Sequence, residues 1–116
     1  MSGLSVQAFS LMRPFLQTVH LDERIVLLEP QRRIDHVTFI ETGIVSLRTL
    51  AKGCMLETAM VGRRGVVGAS LALGVDSSIH QSIVLVSGTA LKIRADDLFR
   101  LMTECPQIRE QLLRYV

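Results

Sequence analysis

The chain has 116 residues, 48% of them hydrophobic and 21% charged, with a formal net charge of +2. That length suits one domain with a core of useful size, and the apolar content excludes an intrinsically disordered chain. Eleven of the 13 basic residues are arginines, but they are scattered along the sequence and form no dense basic stripe of the kind that grips nucleic acid.

Cys54 and Cys105 lie far apart with no CxxC, so free buried thiols are expected and not a disulfide framework. No apolar run approaches the ~20 residues that cross a bilayer. The start, MSGLSVQAFSLMRPF, lacks the basic head, long apolar block and small-residue cleavage site of a secretory signal. A cytoplasmic protein without a membrane partner is expected.

In chain order, Leu4, Ala8, Leu11, Met12, Phe15, Leu16 and Val19 fall on one face at helical spacing. Helices are expected over about 1–20, broken in two by Pro14. The pattern then changes to short strands over about 24–94. RIVLLEP is an apolar run ending at a proline. HVTFIE alternates, with Val37 and Phe39 opposite Thr38 and Ile40, and Gly43 follows as a turn. In IVSLRTL, Val45 and Leu47 face one way and Ser46 and Arg48 the other. AKG reads as a hairpin turn in which Gly53 takes positive φ, and CMLETAMVG is the return strand.

The stretch MVGRRGVVGASLALG follows, with Gly62, Gly65, Gly68 and Gly74 punctuating an apolar run that carries Arg63 and Arg64. DSS is a polar loop, and HQSIVLVSG and TALKI read as two more strands. Short strands at close spacing with glycine turns predict an antiparallel sandwich or barrel. Two helices are expected over 95–116. The first, ADDLFRLMTEC, has Asp96 as its N-cap and Leu98, Leu101, Met102 and Cys105 on one face. Pro106 opens the second, whose apolar stripe is Ile108, Leu112 and Val116. That stripe packs either on the chain's own barrel or on a second copy.

The order of helix, strands with a glycine-rich segment, and two terminal helices, with HVTFIETGIVSL and GTALKI in place, resembles the cyclic-nucleotide-binding-like sensor domain of Crp/Fnr-type transcription regulators. The resemblance covers almost the whole chain. Phe39-Ile40-Glu41-Thr42-Gly43-Ile44-Val45 resembles the family's aromatic-hydrophobic-x-x-Gly-x-hydrophobic signature, and GRRGVVGASLALG resembles a divergent subgroup with MVGREGxVG at this place. The implied fold is mainly β with flanking helices: a single antiparallel β-roll (jelly-roll) domain, one N-terminal helical segment and two C-terminal helices.

Nucleotide-binding members of the family carry a phosphate-binding cassette, F-G-E-x-A-L, followed by R-x-A. Helix-terminal and glycine amides face the cyclic phosphate, the glutamate holds the ribose hydroxyl, and the arginine neutralises the phosphate. Here Val67-Gly68-Ala69-Ser70-Leu71-Ala72-Leu73 takes the cassette's place, with Ala69 where the glutamate belongs. Between Ala69 and Leu91 the only charged residue is Asp76, so the arginine's place, near Ser77 to Gln81, is empty of cations. Losing that pair costs on the order of 2–5 kcal/mol. The resemblance therefore implies the fold without ordinary binding of cyclic AMP or cyclic GMP.

The candidate ligand-contacting residues are Gly68, Ala69, Ser70, Leu71, Ser78 and Ser82, against the plainer reading of loop and capping serines. Arg63 and Arg64 are candidates for a relocated anion site, against a solvated turn. His20, His36 and His80 are isolated, giving no metal site and no cofactor. No cysteine precedes Cys54, which excludes an Fnr-type iron–sulfur sensor. No nucleophile elbow, P-loop or paired catalytic carboxylates are present, so no enzyme is expected.

Family regulators continue through a dimerisation helix into a winged helix-turn-helix. After Ile93 only 23 residues remain, so this chain is not expected to bind an operator. The expected function is an effector-sensing domain that relays a signal through its C-terminal helices in a homodimer. The rival is a standalone β-roll interaction module with no small-molecule ligand.

Overall fold

The computed structural model describes residues 6–75, 77 and 80–115, without the side chains of 50, 51 and 115. Helix α1 (Val6–Met12) and a 3₁₀ turn (Arg13–Phe15) lead into strands β1 (Gln17–Leu21), β2 (Val26–Leu28), β3 (His36–Ile40), β4 (Ile44–Ala51), β5 (Cys54–Val61) and β6 (Val66–Val67). A 3₁₀ helix (Ala69–Leu73) separates these from β7 (Gln81–Val86) and β8 (Gly88–Arg94), and helices α2 (Ala95–Glu104) and α3 (Pro106–Leu112) follow. The strands form two antiparallel sheets of four, ordered β1-β8-β3-β6 and β2-β7-β4-β5. This is the antiparallel roll with flanking helices that the sequence predicts.

Register explains the core. Val37 and Phe39 of β3 pair with Ile93 and Leu91 of β8, and all four pack under the helices with Leu98 and Ile108. Ile40 pairs with Ala90 and faces the interior of the roll beside Val45, Val67 and Val84. Because β3 is covered on both faces, Thr38 is buried as well, and the strand reads as near-continuous burial instead of clean alternation.

The β4–β5 hairpin turns through Lys52 (φ +50) and Gly53 (φ +80). Positive φ at both central residues is the signature of a type I′ turn, whose twist matches the flanking strands. Glycine meets that demand freely, and lysine meets it at a cost.

Some expectations need correction. The helical face drawn from Leu4 to Val19 ends early: Leu4 lies outside the described residues, α1 stops at Met12, and Val19 sits on β1 opposite Ala90. Pro14 stands in the first turn of the 3₁₀ segment, Leu16 is already extended, and a full ladder with β8 outweighs the periodicity. The roll thus begins at Gln17, not near Arg24. Asp96 is not the cap of α2; Arg94 occupies the N-cap, and Asp96 and Asp97 lie in the first turn, where carboxylates suit the helix dipole.

Ser46 shares its face with Arg48, as the alternation predicts, but it is not solvent-exposed. It is fully buried, donates to Glu57 Oε1 at 2.7 Å, and accepts from Arg48 Nε at 3.3 Å. The cross-strand pair Arg48 and Glu57 closes over it, next to a register shift between Leu47 and Arg48. Finally, both cysteines are free, but Cys54 is exposed and Cys105 only half-buried.

Candidate functional site

The place of the cassette is built from backbone up. Gly68 precedes the 3₁₀ helix with φ +92, a left-handed conformation that side chains rarely take, and a Cβ there would lie 3.2 Å from the His36 carbonyl oxygen. Gly74 closes the helix at φ +83. Between them Ala69, Leu71 and Ala72 are buried and Ser70 is half-buried. Leu71 and Ala72 belong to the cluster that includes Leu98, Leu101, Ile108 and Leu112. Two amides of this segment are already used internally, Leu71 N–H to the Gly68 carbonyl and Gly74 N–H to the Leu71 carbonyl. Ala69, Leu71 and Ala72 serve as core, and Leu73 is exposed.

Ser82 is buried on β7, two residues from Val84 and on the same side, which points it into the roll. Thr38 lies on the side of β3 that bears Ile40. The described residues include every arginine and lysine of the chain, and none of these is buried; the buried polar residues are Thr38, Ser46 and Ser82. Ser78 lies outside the described residues.

Arg63 and Arg64 are exposed at the tip between β5 and β6. Gly65 N–H bonds the Gly62 carbonyl at 2.9 Å, Arg64 N–H bonds the Ile40 carbonyl at 3.0 Å, and Ile40 N–H bonds the Gly65 carbonyl at 2.9 Å. Arg64 takes φ +71 to close this turn. The backbone is thus tied to the end of β3, while both arginine side chains are exposed.

Ile108 and Leu112 retain 0% and 1% of their surface within a single chain. Their stripe packs on the chain's own core, which removes them as the contact face for a second copy; Val116 lies outside the described residues. Sequence reasoning missed Arg109 on the same helix. Its Nε donates to the Ala72 carbonyl at 2.6 Å and ties α3 to the 3₁₀ helix. A lone arginine on a helix carries no motif, so no sequence signal marks this bond.

At the start of β3, His36 lines a cleft of about 270 Å³ with Asp35, Arg94 and Asp96. Burial and the neighbouring Lys92 charge hold its imidazole below the usual 6.5, Arg94 adds to this, and Asp35 opposes it. No described helix is long and apolar enough to cross a membrane.

No protein-family model matches the sequence. No curated protein matches it either. Solved structures do. The N-terminal domain of a transcriptional regulator from Streptomyces coelicolor A3(2) superposes with a TM-score of 0.75 at 20% identity, over 97% of this chain and 78% of that one. The catabolite activator protein of Thermus thermophilus gives 0.79 at 16% identity, over 97% of this chain and 54% of its own. The regulatory subunit of a cAMP-independent protein kinase A from Trypanosoma brucei gives 0.78 at 12% identity, over 95% and 41%. The chain thus spans about half or less of the last two proteins. These likenesses establish the cyclic-nucleotide-binding β-roll fold that the sequence motifs suggest, in company that is regulatory.

Proposed function

We propose that this chain is the effector-sensing domain of a Crp/Fnr-type transcription regulator, that it does not bind cyclic AMP or cyclic GMP in the usual way, and that it is not an enzyme. The observation that carries this reading is the interior of the roll. No cation among the described residues is buried there, and the cassette's place holds Ala69, Leu71 and Ala72 as core. A desolvated phosphate without a partner costs several kcal/mol. The Streptomyces and Thermus likenesses support the regulatory role, and the Trypanosoma protein, of the same fold, is the regulatory subunit of a kinase described as cAMP-independent. The signal passes from the 3₁₀ helix to α3, which share one core and the Arg109–Ala72 bond. A cytoplasmic homodimer belongs to the same proposal, with a contact surface other than Ile108 and Leu112.

The test is thermal unfolding with cyclic AMP, cyclic GMP and cyclic di-GMP up to millimolar levels. A ligand at 100 times its dissociation constant stabilises a fold by ~2.7 kcal/mol. No movement of Tm is expected for any of the three. A saturable rise with one of them overturns the reading of Ala69 and the missing arginine.

A protein-interaction module is the second reading, and β5 favours it. This edge strand is exposed along nearly its whole length and presents Met55, Leu56 and Met60 to solvent. A reading frame that continues past Val116 into a helix-turn-helix decides for the sensor, and a stop there decides for the module.

A further inference from the structure

Between the 3₁₀ helix and helices α2 and α3 lies a cleft of about 240 Å³. Leu71, Ala72 and Gly74 line it from one side, Phe99, Met102 and Thr103 from the other, and the lining is more apolar than polar. Phe99 keeps 37% of its surface although it flanks buried neighbours, so an aromatic face stands open to the cleft. One charged side chain lines it, Arg109. The bond from Nε to the Ala72 carbonyl fixes that guanidinium at the rim and leaves its Nη donors. Among the described residues no carboxylate pairs with Arg109; the ion pairs are Arg33 with Asp96 and Arg100 with Asp97.

A largely apolar lining with one guanidinium at its edge, unpaired by any carboxylate among the described residues, is complementary to an anion that carries an apolar body. We propose that this cleft binds a small amphipathic carboxylate, its body against Phe99 and Met102 and its carboxylate on the Nη groups of Arg109. Charge-assisted and planar, such a contact suits carboxylate better than alcohol or amine. The volume sets the size. At roughly 30 Å³ per water-sized unit, the cleft holds a body of about eight such units. The site touches the three elements that the sensor reading assigns to signalling. Its regulatory consequence therefore rests on that reading, whereas the binding does not.

The test is a titration of the whole chain with sodium octanoate, octan-1-ol and octylamine, followed by amide NMR shifts and by Tm. Octanoate is expected to bind saturably, with a dissociation constant in the millimolar range or tighter. Its shifts should concentrate at residues 71–74 and 99–109. Octanol and octylamine should bind at least about tenfold more weakly, the charge-assisted bond being absent. R109Q should reduce octanoate to the level of the alcohol.

Because R109Q also frees the Ala72 carbonyl, a second variant, T103W, fills the cleft while keeping Arg109, and it too should abolish octanoate binding. R114Q should bind like the parent. Equal binding of the amine, shifts spread over the roll, or undiminished binding by T103W overturns the proposal. So does a chain that light scattering finds paired through this cleft. A Tm rise with a cyclic nucleotide and unaltered octanoate binding would remove the sensor reading's account of the cassette alone, so the two failures are distinguishable.

Discussion

Replacing Leu112 with Ala separates two accounts of the last helix. Leu112 retains 1% of its surface and shares a cluster with Leu71, Ala72, Leu98 and Ile108. Truncating a fully buried leucine removes its transfer free energy and leaves a cavity, about 2–5 kcal/mol together. The site lies near the end of α3, where the backbone can settle into part of that cavity, so the lower half of the range applies, about 2–3 kcal/mol. For a domain of this length each kcal/mol moves Tm by roughly 4–5 °C. The expected fall is therefore about 8–15 °C in a circular dichroism melt. Light scattering below the transition should give the parent's mass. A melt within about 3 °C of the parent, together with a halved mass, would refute the packing argument and return Leu112 to an interface between copies.

Three further outcomes follow from single sites. His36 binds a proton less readily folded than unfolded, so its contribution is complete above its ordinary 6.5 and is lost as pH falls below that toward the depressed folded value. Urea melts at about pH 7.5 and about pH 5.5 should show the parent losing more stability than H36Q; parallel losses would sink the argument. G68A places a Cβ 3.2 Å from the His36 carbonyl in a left-handed conformation and should cost about 1–2 kcal/mol in urea unfolding, which an unchanged midpoint would contradict. K52N should stabilise by about 0.5 kcal/mol, since Asn-Gly is the preferred pair for two positive φ values; a destabilised hairpin variant would count against the turn assignment.

Strands β2 to β5, β7 and β8 and the turns between them were readable because β-branched runs and glycine punctuation are local signals. The turns at Gly43 and Lys52-Gly53 fall where the sequence puts them. The N-terminal boundary was not readable, because Val19 fits a helical face and a strand equally well until β8 is there to pair with it. The facing of Ser46 beside Arg48 was readable but its burial was not, because Glu57, which closes over it with Arg48, comes from β5. At the cassette the substitutions are legible as missing charge. Their positive role, packing Leu71 and Ala72 against α2 and α3, depends on distant segments. Ile108 and Leu112 show the limit of amphipathicity, since an apolar stripe announces burial without saying against which chain.

The shared core limits what any effector can do here. Lifting the 3₁₀ helix from α2 and α3 exposes Leu71, about 1.5–3 kcal/mol. It also breaks the Arg109–Ala72 bond, about 1.5–3 kcal/mol for a charged donor. Together these amount to roughly 3–6 kcal/mol. A ligand that drives the lifted state must bind it about 10²–10⁴-fold more tightly than the packed state. A small ligand of millimolar affinity has only about 4 kcal/mol of binding free energy in all, so nearly the whole of it would have to be differential. One that seats in the cleft touches both sides of the packed arrangement and so selects it. On the sensor reading, a small carboxylate therefore acts as a lock and not as a lever. Amide hydrogen exchange at residues 69–73 and 106–112 should slow on adding octanoate; faster exchange in either segment would reverse the sign of the coupling.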